Sequence, residues 1–272
     1  MAQKTDLNVA PYYDDFDSTD NFHKVLFRPG FAVQARELTQ LQSILQNQIE
    51  KHGNNIFKDG TVIIPGQMSL SNPYPSIQLA STFGSEDVVP AQYYNTTTPV
   101  IITGATSGVQ AEVIGFKDGT STTQPTLYLR YIKTGSDFAT ETFSDSENIS
   151  ANTAIVHSSA YASNIASATT HTTANQSGLA VKVESGIYYV RGQFVRVAEQ
   201  TLVLSDNSTT VSKRVGFQIT ETLVTPETDT TLTDNATGSS NYAAKGAHRL
   251  KIELTLSSLD TTSIADSTFL ET

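Results

Sequence analysis

The chain has 272 residues, a formal net charge of −10 at neutral pH, and neither cysteine nor tryptophan. The absence of thiols excludes disulfide frameworks and thiolate metal sites. The acidic balance argues against a nucleic-acid-binding protein, because such a protein needs a basic face for the phosphates. No window approaches the ~18 apolar residues of a membrane helix, and the first residues lack a signal region. We therefore expect a soluble, non-secreted protein without membrane insertion.

Charged residues make up 16% of the chain, and its other polar residues are mainly threonine, serine, asparagine and glutamine. A surface rich in hydroxyl and amide groups, with many β-branched residues, is typical of extended antiparallel sheets. We therefore expect a mainly β protein, an antiparallel sandwich or barrel-like sheets, with one long N-terminal helix and extended arms. The predicted segments are an arm (1–27), a helix-hairpin unit (28–84), a β meander (85–135), a Ser/Thr-rich loop or linker (136–178) and a second β region (179–272).

Aromatic and acidic residues alternate in the predicted N-terminal arm. We interpret this arm as a solvated segment pinned by Tyr12, Tyr13 and Phe16. Three acids in the arm could suggest a calcium loop: Asp15, Asp17 and Asp20. The glycine and the distal glutamate of an EF-hand are absent, so we favour the pinned arm and expect no metal site.

The stretch 28–66 carries signals for a turn, a helix and a hairpin. Pro29-Gly30 is a pair that type II turns favour. We predict a helix from Gln34 to Lys51, ended by Gly53 in a left-handed conformation. Apolar residues recur at helical spacing along one stripe of this segment, at Leu38, Leu41, Ile44, Leu45 and Ile49.

Glutamines on the polar side of this helix are compatible with a close partner, so two interpretations of the stripe stay open. The stripe packs on the protein's own sheet, or it forms a self-associating coiled coil. Gln48 occupies a heptad position that a coiled coil fills with an apolar residue. We therefore favour packing on the protein's own sheet.

Strand signals follow the helix. Asp59-Gly60 predicts a hairpin between strands at 56–57 and 61–64, and Asn72-Pro73-Tyr74-Pro75 predicts a break in extended structure. Three apolar-alternating runs between 100 and 135 predict a meander. Residues 136–178 are low in large apolar residues, which predicts a loop. Further strands are predicted within 179–197, 201–204, 215–224 and 246–256.

The sequence contains no glycine-rich phosphate loop. Its histidines are scattered and lack metal-ligand spacing, at His23, His52, His157, His171 and His248. Acidic residues abound, but the sequence places no two of them across a cleft. We expect no catalytic residues, no metal and no cofactor, so an enzyme is the minority hypothesis.

Four motifs resemble a known group of proteins. These are APYYDDFD, FHKVLFRPGFAVQARELTQLQSILQNQIEKHGNNIFKDG, SGIYYVRGQFV and GAHRLKIEL. They are similar to the N-terminal part of large virion structural proteins of contractile-tailed phages, especially phages of marine cyanobacteria. That part is described as a domain of unknown function. Members of the group are much longer than this chain, so it is either a short relative or an N-terminal attachment portion.

The resemblance implies a baseplate or tail-fibre-attachment protein, located in the virion after assembly in the host cytoplasm. Other tail and baseplate proteins would be its partners, together with further copies of itself, for example in a trimer. We predict that residues 8–66 form the docking element. Aromatic, arginine and leucine anchors are expected there: Tyr12, Tyr13, Phe16, Phe22, Arg28, Leu38, Leu41 and Leu45.

Two alternative functions stay open. In a host-surface glycan-binding module, exposed tyrosines would stack on sugars, at Tyr74, Tyr93, Tyr94 and Tyr161. In a virion-borne cell-wall hydrolase, two carboxylates would have to meet in the folded chain. The missing catalytic motif makes the hydrolase the weaker alternative.

Overall fold

A computed structural model describes residues 5–156, 163–264 and 267–271. Strands hold 41% of the chain and helices 12%, which confirms a mainly β fold with one long helix. The helix α1 spans Ala35–Ile56. The strands are β1 (Val62–Ile64), β2 (Met68–Leu79), β3 (Thr82–Phe83), β4 (Glu86–Asp87), β5 (Ile101–Gly104), β6 (Gln110–Lys117), β7 (Thr126–Lys133), β8 (Asn148–Ala151), β9 (Ala166–Val183), β10 (Gly186–Val190), β11 (Gln193–Val197), β12 (Gln200–Ser205), β13 (Lys213–Val224), β14 (Arg249–Asp260) and β15 (Phe269–Glu271). Short 3-10 turns lie at Ser18–Asp20, Pro90–Tyr93 and Thr230–Leu232.

The chain divides into two compact units, each built from separate stretches of sequence. The first unit comprises residues 1–69, 182–202 and 212–272, and the second comprises 70–181 and 203–211. The first unit contains α1, the sheet β1-β10-β11 and the sheet β14-β13-β15. The seven-stranded sheet β12-β9-β2-β7-β6-β5-β8 lies mainly in the second unit.

The meander predicted between residues 100 and 135 is confirmed as the antiparallel strands β5, β6 and β7. Alternate residues of β6 face the core, because successive side chains of a strand point to opposite faces. β8 pairs with both β5 and β9, which closes six of the strands into a barrel-like ring. Large apolar side chains fill the core of this unit, including Ile77, Leu79, Ile102, Leu127, Leu129 and Ile149.

Two predictions for this region are wrong. The segment 136–178 is not a loop throughout, since it contains β8 and most of the 18-residue strand β9. Small side chains of β9, such as Ala168 and Ala174, are buried, so the strand carries little apolar signal of its own. The proline-rich stretch 72–75 lies within β2 rather than breaking it.

In the first unit, the helix continues beyond its predicted end. Gly53 lies inside α1 and is buried against the ring of Tyr189, so it does not end the helix. The predicted strand at 56–57 is therefore absent, and β1 pairs with β10 instead of forming a local hairpin. The Tyr189 hydroxyl donates to Asn54 Oδ1 at 2.9 Å, which fixes the last turns of the helix against the sheet.

A buried ion pair joins distant parts of the first unit. The side chains of Arg191 and Glu221 are 7% and 6% exposed and pair through Arg191 Nη1 and Glu221 Oε1. Arg191 also donates to the carbonyl of Ser267 at 2.8 Å. The second carboxylate oxygen of Glu221 accepts from the backbone and hydroxyl of Thr5, at 2.8 and 2.6 Å. Four segments of the chain therefore meet at one charge pair.

We expect Gly53→Ala to destabilise the protein, although alanine is the better helix former by about 1 kcal/mol. A Cβ at this position would lie 2.4 Å from the hydroxyl of Tyr189, whose ring is held in the core. Overpacking of this kind costs about 1–3 kcal/mol. Urea denaturation should show a lower midpoint for Gly53→Ala and little change for the exposed His52→Ala. A smaller loss in a Tyr189→Phe background is also expected, and an unchanged or raised midpoint for Gly53→Ala would contradict the contact.

Glu221→Gln should destabilise the protein strongly, because it leaves the Arg191 charge buried without its counter-ion. Breaking a buried pair costs about 3–5 kcal/mol. Glu253→Gln is the matched control, since Glu253 pairs with Lys251 on the surface of β14. An exposed ion pair of this kind contributes about 0–1 kcal/mol to the free energy of unfolding. Equal shifts of the urea midpoint for the two variants would argue against the central role of the buried pair.

Candidate docking surface

The docking element predicted at residues 8–66 begins with the N-terminal arm, which is attached to α1 by its acids. Asp15 accepts hydrogen bonds from Arg36 Nε and Gln40 Nε2, both at 2.8 Å. The carboxylate of Asp14 accepts from the Ser43 hydroxyl. These bonds position the arm along one side of the helix.

Aromatic residues add two further attachment points. Phe16 is buried, and the Tyr12 hydroxyl lies 2.5 Å from Nδ1 of His248, with the two rings edge to face at 5.7 Å. Tyr13 is 61% exposed. The arm is therefore held by Tyr12 and Phe16 within its own unit, whereas Tyr13 does not pin it as predicted.

The turn before α1 has the predicted geometry. The N–H of Phe31 donates to the carbonyl of Arg28 at 3.3 Å, and Gly30 has φ of +83°. A positive φ at the third position is what a type II turn requires. The Arg28 guanidinium lies 4.3 Å from the centre of the Phe31 ring, a cation–π contact at the surface. The N–H of Gln34 then donates to the Glu37 carboxylate at 2.8 Å, which caps the first turn of α1.

One side of α1 presents apolar residues to solvent. Leu38, Leu45, Ile49 and Ile56 are 53%, 56%, 58% and 60% exposed. Their spacing of seven, four and seven residues places all four within about 40° around the helix axis. We call these four residues the α1 stripe.

The preferred interpretation, that the predicted apolar stripe packs on the protein's own sheet, holds for only part of the stripe. Ile44 is buried and Leu41 is half-buried, but Leu38, Leu45 and Ile49 are more than half exposed in the described chain. The five apolar positions span about 140° around the helix axis, and the unit covers only the edge that carries Ile44. Gln48 lies outside the exposed stripe, so it does not interrupt it.

A second apolar group precedes the helix. Five large side chains between residues 22 and 33 are mostly exposed: Phe22, Leu26, Phe27, Phe31 and Val33. Single exposed apolar residues are ordinary, but consecutive ones beside an exposed helical stripe are typical of interaction surfaces. Of the predicted anchors, Tyr13, Phe22, Arg28, Leu38 and Leu45 are exposed, whereas Tyr12, Phe16 and Leu41 contact their own unit. Ile49 and Ile56 were not predicted as anchors, although their helical spacing from Leu45 was visible in the sequence.

A protein-family model matches the part of the chain that carries this surface. A model described as "Domain of unknown function (DUF4815)" matches residues 10–82 and 145–269, which is more than half of the chain. The chain belongs to the DUF4815 family. No curated protein and no solved structure matches it. The DUF4815 match includes α1 and the second apolar group, whereas β5, β6 and β7 lie in the stretch 83–144 that the family model omits.

The structure also bears on the metal-binding alternative. Within residues 5–156, 163–264 and 267–271, no three histidine or acidic side chains are placed to hold a metal ion. No helix in this part of the chain has the length and hydropathy needed to cross a membrane. His157 lies outside the described residues.

The tyrosines considered for sugar stacking are largely unsuitable. Tyr74 and Tyr93 are buried, so neither face of these rings is offered to a glycan, and Tyr94 is only 36% exposed. Burial raises the pKa of Tyr74. Tyr161 lies outside the described residues. The glycan hypothesis therefore loses two of its four proposed contacts.

We expect the arm to detach from α1 at low pH. The hydrogen bond from Arg36 lowers the pKa of Asp15 below 3.8, and Gln40 contributes. Because the folded-state pKa is lowered, the stabilisation is present above the unfolded-state pKa and is lost as pH falls through the folded-state value. Hydrogen exchange of residues 5–20, corrected for intrinsic rates, should rise severalfold in Asp15→Asn at pH 7 and converge with wild type in acid. Asp20→Asn is the control, since the Asp20 carboxylate makes no hydrogen bond within the described residues. Equal exchange in both variants at pH 7 would contradict the role of Asp15.

Proposed function

We propose that this protein is a non-enzymatic structural component of a phage virion tail, in the baseplate or tail-fibre attachment network. It acts by protein–protein docking, and its partners are other tail and baseplate proteins and further copies of itself. The observation that carries the proposal is the α1 stripe, an apolar helix face that its own unit leaves exposed. The resemblance of the arm and helix motifs to virion structural proteins supports the same assignment.

The energetics favour a partner for the stripe. Fully burying a leucine or isoleucine side chain contributes about 1.5–3 kcal/mol relative to full exposure. Since each stripe residue is more than half exposed, covering it would contribute about 1 kcal/mol. Four such residues on one line fit the groove or matching helix of a neighbouring subunit. The second apolar group and the Arg28–Phe31 pair would extend this contact.

The glutamine-rich polar side of α1 fits the proposed assembly role. Uncharged amides can remain hydrated before assembly and form hydrogen bonds in a contact afterwards. The proposed protein assembles in the host cytoplasm and remains in the virion. A homo-oligomer, for example a trimer, would place several copies of the stripe around one axis.

Buried acid chemistry does not favour the hydrolase alternative. Glu147, a buried carboxylate of the second unit, accepts from the N–H groups of Thr106, Ser107 and Ser144 at 2.9, 2.9 and 2.6 Å. The hydroxyl of Ser107 donates to it as well, at 2.8 Å. Four donors occupy this carboxylate, so its function in the fold is to hold two turns together.

Leu45→Asp/Ile49→Asp should convert the oligomer to a folded monomer, because two charges on the stripe cannot be buried in an apolar contact. Light scattering coupled to size exclusion measures the mass, and circular dichroism checks the fold. Gln48→Asp/Asn55→Asp is the matched control, since it adds the same charge to α1 away from the stripe and should keep the wild-type mass. A monomeric wild type, or a double variant with unchanged oligomeric mass, would overturn self-association through the stripe.

A further inference from the structure

The first unit contains a cavity of about 410 Å³ between α1, β11 and β14. Its walls include Asn47 and Glu50 of the helix, Phe194 and Arg196 of β11, and Leu250 and Ile252 of β14. The two strands belong to different sheets, and each is the last strand of its sheet. We call this cavity the edge slot.

The backbone of β11 offers hydrogen-bonding groups to the edge slot. Tyr189 of β10 donates to Thr61 and accepts from Gly60, both at 2.9 Å, so its backbone groups face away from β11. Tyr189 is paired with Phe194, which makes this a non-hydrogen-bonded pair of the antiparallel ladder. The N–H and C=O of Phe194 therefore point outward, and by alternation so do those of Arg196. Neither residue forms a backbone hydrogen bond outside β10–β11 pairing within the described residues.

The edge strand β14 also presents backbone N–H and C=O groups that face away from its sheet. A side chain that bonds to some of these groups shows their direction. Gln200 donates to the carbonyl of Leu254 at 2.9 Å and accepts from the N–H of Leu256 at 2.7 Å. Backbone groups at these even-numbered positions thus face away from β13. By alternation, those of Leu250 and Ile252 do so too, and no side chain in the described part of the chain bonds to them. The side chain of Gln200 therefore covers the edge of β14 at Leu254 and Leu256, and it leaves that edge uncovered at Leu250 and Ile252.

The helix wall of the slot carries a buried amide. Asn47 is 8% exposed and lines the slot, and its amide is not among the buried side-chain atoms left without a hydrogen-bond partner in the described chain. An amide at the wall of the slot can both donate and accept. Because β11 and β14 already contact each other, an added strand has room to bond to only one of the two edges. The outward N–H and C=O groups of β11 fit an occupant with alternating N–H and C=O groups. An extended polypeptide backbone is the chemistry that fits.

We propose that the edge slot binds residues 22–27 of a second copy of this chain as an added strand. This inference deepens the proposed function by naming one contact between copies. Residues 22–27, FHKVLF, form no backbone hydrogen bonds within the described chain, and most of their apolar side chains are exposed. One chain therefore carries both an unpaired segment with strand-forming residues and an unpaired strand edge.

Charge supports a second copy as the occupant. Glu50 and Arg196 line the slot and form no salt bridge within the described residues. The same is true of Asp20, which precedes the unpaired segment, and of Lys24 within it. One acid and one base on each side can pair when the strands are in register. The exposed ring of Phe194 and the half-buried Leu250 and Ile252 would cover the apolar side chains of the added strand.

The cysteine-free chain allows a direct test by disulfide formation between copies. Chains carrying Leu26→Cys are mixed with chains carrying Arg196→Cys, and the cross-linked dimer is measured after mild oxidation. The control acceptor is Thr220→Cys, an exposed position of β13 that is paired with β14 and lies outside the slot. We expect the slot pair to give at least about tenfold more dimer than the control pair. Equal yields would overturn the proposal.

Proline variants distinguish backbone hydrogen bonding from side-chain contact. In the Leu26→Cys chain, Lys24→Pro and Val25→Pro each remove one N–H, and one of these adjacent groups must face the slot. One of the two prolines should therefore lower the dimer yield about threefold to tenfold below its alanine counterpart, as expected for one net hydrogen bond. Yields that proline and alanine reduce equally at both positions would exclude strand addition.

Three further outcomes test the occupant and distinguish this inference from the proposed function. A chain with both cysteines that forms only an internal disulfide, while mixed single variants do not cross-link, would make the chain's own segment the occupant and overturn the second-copy proposal. An oligomeric wild type that loses its mass in Leu45→Asp/Ile49→Asp but gives no slot disulfide would leave the stripe intact and refute the slot. A slot disulfide that persists when the stripe variant keeps its mass would support the slot and refute the stripe.

Discussion

The first unit depends on one buried charge pair. Arg191 lies in the turn between β10 and β11, and Glu221 lies in β13, so their contact ties two sheets together. Thr5 and the carbonyl of Ser267 complete the hydrogen bonding of the pair. A buried charge without these partners would be strongly unfavourable. The constraint therefore acts on all four segments at once, and it holds the N-terminal arm at the start of the proposed docking surface.

Two sides of the helix α1 differ in what they contact within the described chain. Ile44, Asn47 and Gly53 face its own unit, where Gly53 allows the ring of Tyr189 to lie against the helix backbone. The α1 stripe faces away, and the arm is held by Asp14 and Asp15 without covering it. An apolar face can remain exposed in the isolated chain only because the remaining core is sufficient to fold it. That division of one helix into an internal and an external side is the physical basis of the proposed assembly role.

Local signals were reliable where a few neighbouring residues decide the conformation. The Pro29-Gly30 turn, the start of α1, the meander of β5 to β7 and the alternating strand β14 all follow the predicted pattern. Sequence signals failed where contact with a distant residue determines the conformation. The end of α1 was misplaced because Gly53 was interpreted from its own φ preference, whereas contact with Tyr189 keeps it helical. β9 was missed because its neighbours in the sheet supply the burial that its small side chains lack.

For the docking surface, the sequence indicated the helix, its apolar positions and the aromatic arm, since helical spacing depends only on the order of residues. It could not say which of those positions the unit covers. Leu41 and Leu45 are alike in sequence, yet one is half-buried and the other exposed. The same holds for Arg191 and Glu221, separated by 30 residues, and for the two free strand edges of the slot. Composition and periodicity by themselves determined the mainly β class and the long helix, whereas burial, long-range pairing and open edges arose only when distant segments packed together.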